Sequence, residues 1–220
     1  MTKGALIVSA KREIQKMELR QDIIEASKLY KDWFVGKIFM YVFENKYIQV
    51  TYRIKDFKHL TGVASNISAK DFYKHYIEEV LSENNIINSL RYPFNLSRKK
   101  ITALLNFKSL IEADLLILEE ITTDSTSYKF GVADLEFTLC LINPTDKNGK
   151  VINDDYFVPQ SLRVEDSVSR SKNAYEVNFI FVKENNESLY SKLLYNDKKY
   201  SISTLSDKIK GKIEKELTDL

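Results

Sequence analysis

Apolar residues recur at spacings of three and four between Lys11 and Val35, where Ile23, Ala26, Tyr30, Trp33 and Phe34 form one stripe. Glu18, Arg20, Gln21, Asp22, Lys28 and Lys31 supply the opposite, polar face. The pattern predicts a helix with Trp33 as a core anchor and Gly36 as its stop. The period then changes. Lys37–Glu44 is a run of aromatic and branched residues, and Tyr47–Ile54 alternates, with Ile48, Val50, Tyr52 and Ile54 on one face. Joined at Asn45–Lys46, the two runs predict a β-hairpin. The strand leads through Lys55-Asp56 into Phe57-Lys-His-Leu-Thr-Gly62.

Helical spacing returns after Ser68, which stands three residues before Asp71 in a capping-box arrangement. Phe72, Tyr73, Tyr76, Ile77, Val80 and Leu81 share one face of that helix, and His75 falls on the other, solvated one. A connector containing Pro93 leads into Arg98-Lys-Lys100 and a helical run through Ile101, Leu104, Leu105, Phe107, Leu110 and Ile111. Strand patterns dominate the second half, at Asp114–Thr122, Tyr128–Gly131, Leu135–Asn143, Tyr156–Val164, Tyr175–Lys183 and Lys198–Ser203. Turns are expected at Thr123–Ser127, Pro144–Gly149 and Glu184–Glu187. Leu205, Ile209, Ile213 and Leu217 then recur at strict fours in a charged stretch. That narrow stripe predicts a terminal helix that packs lightly or protrudes.

Helices before strands, with short connections, predict an α+β fold in which N-terminal helices pack on an antiparallel β-sheet, with a C-terminal helix. The expected division is an N-terminal helix over 1–35, a single α+β domain over 36–203 and a C-terminal helix over 204–220.

Composition narrows the chemistry. Lysine and arginine number 33 against 31 acidic residues, so any contact with nucleic acid must use a local patch. The single cysteine, Cys140, excludes an internal disulfide, and its apolar run makes it a buried small hydrophobe. Two histidines leave little material for a transition-metal site. No apolar run approaches membrane-spanning length, and Met1–Ala10 is too short in apolar residues for a secretory leader, so the expected location is the cytoplasm. The chain carries no glycine-rich phosphate loop, no His-Glu-x-x-His and no Gly-x-Ser-x-Gly, which disfavours kinases, P-loop ATPases, common zinc proteases and α/β-hydrolases.

Three groups carry candidate chemistry. In the first, His59 can exchange a proton at neutral pH, Lys58 can hold a phosphate oxygen and Thr61 offers a hydroxyl. The competing reading makes His59 a structural hydrogen-bonding residue at a strand end. The second is the basic series Arg91, Arg98, Lys99 and Lys100, interleaved with Tyr92 and Phe94, suited to phosphates and unpaired bases. A helix capped by Ser97 would add backbone donors; the competing reading is a solvated helix start. The third is Ser161 and Arg163, which share a strand face and would suit a phosphodiester, with Arg170, Ser171 and Lys172 nearby. Here the competing reading is an exposed polar face.

The order of these pieces resembles a phage-associated branch of the barnase–EndoU–colicin–RelE-like ribonuclease superfamily. The resemblance rests on the aromatic-rich hairpin, Asp56-Phe-Lys-His-Leu-Thr-Gly62, Phe72-Tyr73, Arg98-Lys-Lys-Ile-Thr-Ala-Leu-Leu105 and Tyr156-Phe-Val-Pro-Gln-Ser-Leu162, spanning Val35 to Lys183. It implies a metal-independent endoribonuclease of phage or mobile-element origin, needing no cofactor. The 2′-hydroxyl of RNA attacks the adjacent phosphate and leaves a 2′,3′-cyclic end. His59 would move the proton, Lys100 or Lys58 and Arg163 would stabilise charge, and Ser161 or Thr61 would orient phosphate oxygens. Where the family carries an Arg-Thr pair, this chain has Gln160-Ser161, with Arg163 two residues on. The alternative is a non-catalytic phage-encoded binding protein on the same scaffold that inhibits a host defence complex. The implied partners are RNA and a protein, an antitoxin or that complex.

Overall fold

The computed structural model describes residues 3–80, 82–87, 93–112, 114–124 and 126–218. It divides into two compact units, one formed by residues 1–33 and 54–107, the other by 34–53 and 108–220.

The first unit is mainly helical. Helix α1 (Lys3–Trp33) begins earlier than the pattern predicts and buries Leu19, Ile23, Ile24, Ala26 and Tyr30. Trp33 is not the expected core anchor: it lies on the last turn and is 38% exposed. Helix α2 (Phe57–Thr61) is followed by β3 (Ala64–Ser65), α3 (Ala69–Ile77), β4 (Ile86–Ile87), paired antiparallel with β3, and α4 (Phe94–Leu105). Tyr30, Phe57, Tyr73 and Phe107 form an aromatic centre, with ring centroids 5.2–6.3 Å apart. Ser68 caps α3 as its sequence predicts, accepting from the Asp71 amide. The helix stops at Ile77, which leaves Val80 65% exposed rather than on the apolar face. Leu81 lies outside the described residues. His75 is half-buried rather than solvated.

The second unit is built on one sheet. Strands β1 (Lys37–Phe43) and β2 (Lys46–Thr51) form the predicted hairpin. Glu44 and Asn45 turn it, both with positive φ, the geometry that matches the twist of paired strands. The sheet continues through β5 (Leu116–Thr122), β6 (Ser127–Ala133), β7 (Thr138–Ile142), β8 (Tyr156–Arg163), β9 (Asn173–Glu176), β10 (Phe179–Glu184) and β11 (Lys192–Asn196). The order is β11-β10-β1-β2-β8-β7-β6-β5-β9.

Three expectations are corrected here. The sheet is mixed, because β2 and β8 pair in parallel through Gln49–Tyr156 and Val50–Phe157. The run Tyr175–Lys183 is two strands rather than one. The amide of Val177 donates to Leu115 beside β5, and that of Asn178 donates to Val42 on β1. Successive amides of one stretch of chain thus bond β1, near one edge of the strand order, and the segment beside β5, near the other, and the sheet returns on itself. Phe43, Phe130, Phe157 and Tyr175 pack where it does so, Phe43 stacking on Tyr175 at 5.4 Å. The last expected strand, Lys198–Ser203, is a loop and a single 3₁₀ turn, while β11 lies just before it.

The terminal stripe does not build one helix. It makes two single turns, α5 (Asp207–Lys210) and α6 (Lys215–Thr218). Between them, the Tyr190 amide donates to Lys212, and the Glu214 amide donates back to Tyr190. These bonds take the backbone groups that a continuous helix would use. The stripe is nonetheless core: Leu205, Ile209 and Ile213 are buried against Ile38, Met40, Phe179 and Phe181.

Candidate active site

His59 stands on a helix rather than at a strand end. Strand β2 stops at Thr51, and the chain turns into α2, whose Phe57, Leu60 and Thr61 are buried. Those three fix the inner side of a five-residue helix and leave His59 exposed on the outer one. Its backbone amide donates to the Asp56 carbonyl at 3.1 Å, while its imidazole makes no hydrogen bond to any described residue. Gly62 closes the helix in the left-handed region, φ 62°, and its amide donates to the His59 carbonyl. That conformation costs glycine little because it has no Cβ.

The same glycine brings Lys100 to the helix. A Cβ on Gly62 would stand 2.8 Å from Lys100 Cδ and 3.6 Å from its Nζ. The Lys100 side chain therefore lies across the turn that ends the His59 helix, where a cation also suits the outward carbonyls. Ser97 holds the two segments together. It is buried one turn before Lys100, and its Oγ donates to the Gly62 carbonyl at 2.7 Å. Ser97 is thus not the helix cap. Pro93 occupies that position, and α4 begins at Phe94.

The other candidates in this unit have structural partners. Lys58 Nζ donates to the carbonyls of Ser65 at 3.2 Å and Ile67 at 2.5 Å, and burial pulls its pKa below the usual lysine range. Thr61 is fully buried, its hydroxyl donating to the Lys58 carbonyl and accepting from the Val63 amide. Arg98 pairs with Glu18 at 2.8 Å on the surface, and Lys99 is exposed beside it. Arg91 and Tyr92 lie outside the described residues.

Ser161 and Arg163 belong to the sheet unit. Opposite them on β7 stand Cys140 and Thr138, so the two share a face as the alternation predicts. A register shift places Gln160 at a bulge, where it is exposed. Arg163 donates to Glu165 at 2.9 Å and to Thr123 at 3.3 Å, while its buried Nε finds no partner. Partial burial works against its charge, but Tyr128 and Glu165 outweigh that and raise its pKa. Arg170 and Lys172 are taken up in surface pairs with Asp124 and Glu120. Among the described residues, no group of three His, Cys, Asp or Glu side chains could hold a metal ion. No helix there is long and apolar enough to cross a membrane.

The family model described as PBECR4, phage-Barnase-EndoU-ColicinE5/D-RelE like nuclease4, matches residues 22–199. The chain belongs to this family. The match takes in α2, α4 and every strand of the large sheet, so each PBECR4 candidate described above falls inside it. No curated protein and no solved structure matches the chain. Ser97 and Gly62, which fix the PBECR4 candidate site locally, were visible in the sequence only as a possible helix cap and as the last residue of a motif; the bond between them was not. A serine within a helix becomes legible only when its tertiary acceptor is known.

Proposed function

We propose that this PBECR4 protein is a metal-independent endoribonuclease in which His59 moves the proton and Lys100 neutralises the phosphate. One observation carries the reading: Lys100 lies on the turn that closes the helix exposing His59. His59 takes the proton from a 2′-hydroxyl. The freed oxygen attacks the adjacent phosphorus, and the bond to the 5′-oxygen breaks. The leaving 5′-oxygen takes a proton from water, which gives a 2′,3′-cyclic phosphate and a 5′-hydroxyl, and His59 returns its proton to the hydroxide so formed, so the step balances without a metal or a cofactor. Lys100 meets the charge that builds on the non-bridging oxygens. Lys99 and Arg98, directly before it on α4, extend the basic surface toward neighbouring phosphates. Ser161 and Arg163 enter as a separate phosphate-holding pair on the sheet unit, tested by variants of their own.

A second reading is favoured by a different observation. The groups of Lys58, Thr61 and Arg98 are already engaged within the protein, and Gln160 replaces the expected arginine. These features suit a phage-encoded binding protein that kept the scaffold and lost cleavage.

The deciding experiment incubates end-labelled RNA with the protein in EDTA, beside His59→Ala, Lys100→Ala and Arg163→Ala. Cyclic-phosphate ends from the wild type, reduced about 10²–10⁴-fold in His59→Ala, support the nuclease. RNA that is retained but left intact by the wild type would replace it with the binding reading.

A further inference from the structure

The sheet unit contains a notch with no role in the chemistry above. It opens where β9 gives way to β10, between the start of β5 and the end of β11, and has a volume of about 400 Å³. Leu115, Leu116 and Val177 line it with apolar surface, and Asp114, Glu176 and Asp197 surround them. One cation, Lys199, stands among the three carboxylates, 3.4 Å from Glu176 and 3.8 Å from Asp197. Tyr195 fixes Asp114 by donating at 2.6 Å.

Leu135 reaches the rim from the β6–β7 hairpin and is fully exposed, the most exposed large apolar side chain among the described residues. It also borders a second cleft of about 300 Å³, whose lining includes Asp134, Glu136, Glu165 and Asp166 and no basic residue. Val168, 44% exposed, adds apolar surface there. An isolated apolar residue on a surface is ordinary, but one set between two acid-rimmed clefts makes a continuous apolar and acidic face. The chain as a whole carries a net charge of +2, so this face runs against its balance.

Charge decides the occupant. Carboxylates in this density repel the phosphates of RNA and attract cations. The apolar floor and Leu135 reward an aliphatic side chain beside the cation. We propose that the notch is a docking surface for a partner protein's segment in which arginine or lysine alternates with aliphatic residues. The aliphatic group covers Leu135 and the floor, and the cations meet Asp114 and Glu176 at the rim.

The probe is an end-blocked, fluorescein-labelled nonapeptide of alternating leucine and arginine, followed by anisotropy on the full chain. Two comparison peptides replace leucine by glycine or arginine by glutamate. The leucine–arginine peptide is expected to bind best. Leu135→Ser weakens it about tenfold, the loss expected on uncovering one leucine. The pair Asp114→Asn and Glu176→Gln weakens it about threefold at low salt. All three positions lie at the surface, and an unchanged melting temperature confirms that each variant folds. Equal binding of the glycine–arginine peptide, or no effect of Leu135→Ser, overturns the proposal. So does no binding of any peptide. RNA retention is expected to be unchanged in these variants, and its loss would assign the notch to RNA instead.

Discussion

The Ser97 hydroxyl donates to the Gly62 carbonyl at 2.7 Å across 35 residues of chain, with both residues buried. This bond fastens α4 to the end of α2 and so fixes where Lys100 stands relative to the His59 helix. Replacing Ser97 by alanine leaves a buried carbonyl without that donor, at a cost of about 1–3 kcal/mol. Urea unfolding of Ser97→Ala should show a lower midpoint with an unchanged slope. An unchanged midpoint would mean that the bond contributes nothing net.

Gly62→Ala should act twice. The left-handed conformation at φ 62° costs a non-glycine residue about 1–2 kcal/mol, and the new methyl meets Lys100 Cδ at 2.8 Å. The lysine is flexible and moves aside, so RNA cleavage should fall along with stability. In a Lys100→Ala background the collision is gone and only the backbone cost remains. A double-mutant cycle should therefore show Gly62 and Lys100 coupled in cleavage; additive losses would show that Lys100 is not set by this glycine.

Glu119 on β5 accepts from Asn173 Nδ2 and from the Tyr175 hydroxyl on β9, both at 3.0 Å. These bonds, the Asn173 one first, hold its pKa below the ordinary 4.5 despite partial burial. A carboxylate with a lowered folded pKa stabilises the fold above its unfolded pKa and loses that contribution as pH falls through the folded value. Stability should therefore drop below about pH 4.5, and Glu119→Gln should flatten part of the drop. Chemical unfolding at a series of pH values checks this; identical profiles for the two proteins would sink it.

Tyr190 donates to Gln49 Oε1 at 2.8 Å inside the sheet unit, where both side chains are almost fully buried. Burial pushes the phenol's pKa far above its ordinary range. Tyr190→Phe removes the donor, keeps the ring and should cost about 1–3 kcal/mol. Thermal unfolding monitored by circular dichroism measures it. A variant as stable as the wild type would show that Gln49 finds another donor.

The sequence by itself determined what depends on near neighbours. The spacing of Ile23, Ala26 and Tyr30 makes a helix face, the alternation at Ile48 and Val50 makes a strand, and Ser68 with Asp71 makes a cap. Each is set within a few residues by the 3.6- or two-residue period. The motif Phe-Lys-His-Leu-Thr-Gly was visible too, and with it the family. Tertiary structure decided the rest, because the deciding partners lie far apart in the chain. The terminal stripe at Leu205, Ile209 and Ile213 has helical spacing, yet Tyr190 takes the backbone bonds that would continue the helix. The run Tyr175–Lys183 reads as one strand until Leu115 and Val42 claim adjacent amides. Ser161 and Arg163 were correctly placed on one face, but the bulge at Gln160 is a property of the pairing with β7. The opening cluster Lys58, His59 and Thr61 was separated in the same way. Burial assigned Lys58 and Thr61 to backbone carbonyls and left His59 exposed, with Lys100 laid over the glycine that ends its helix.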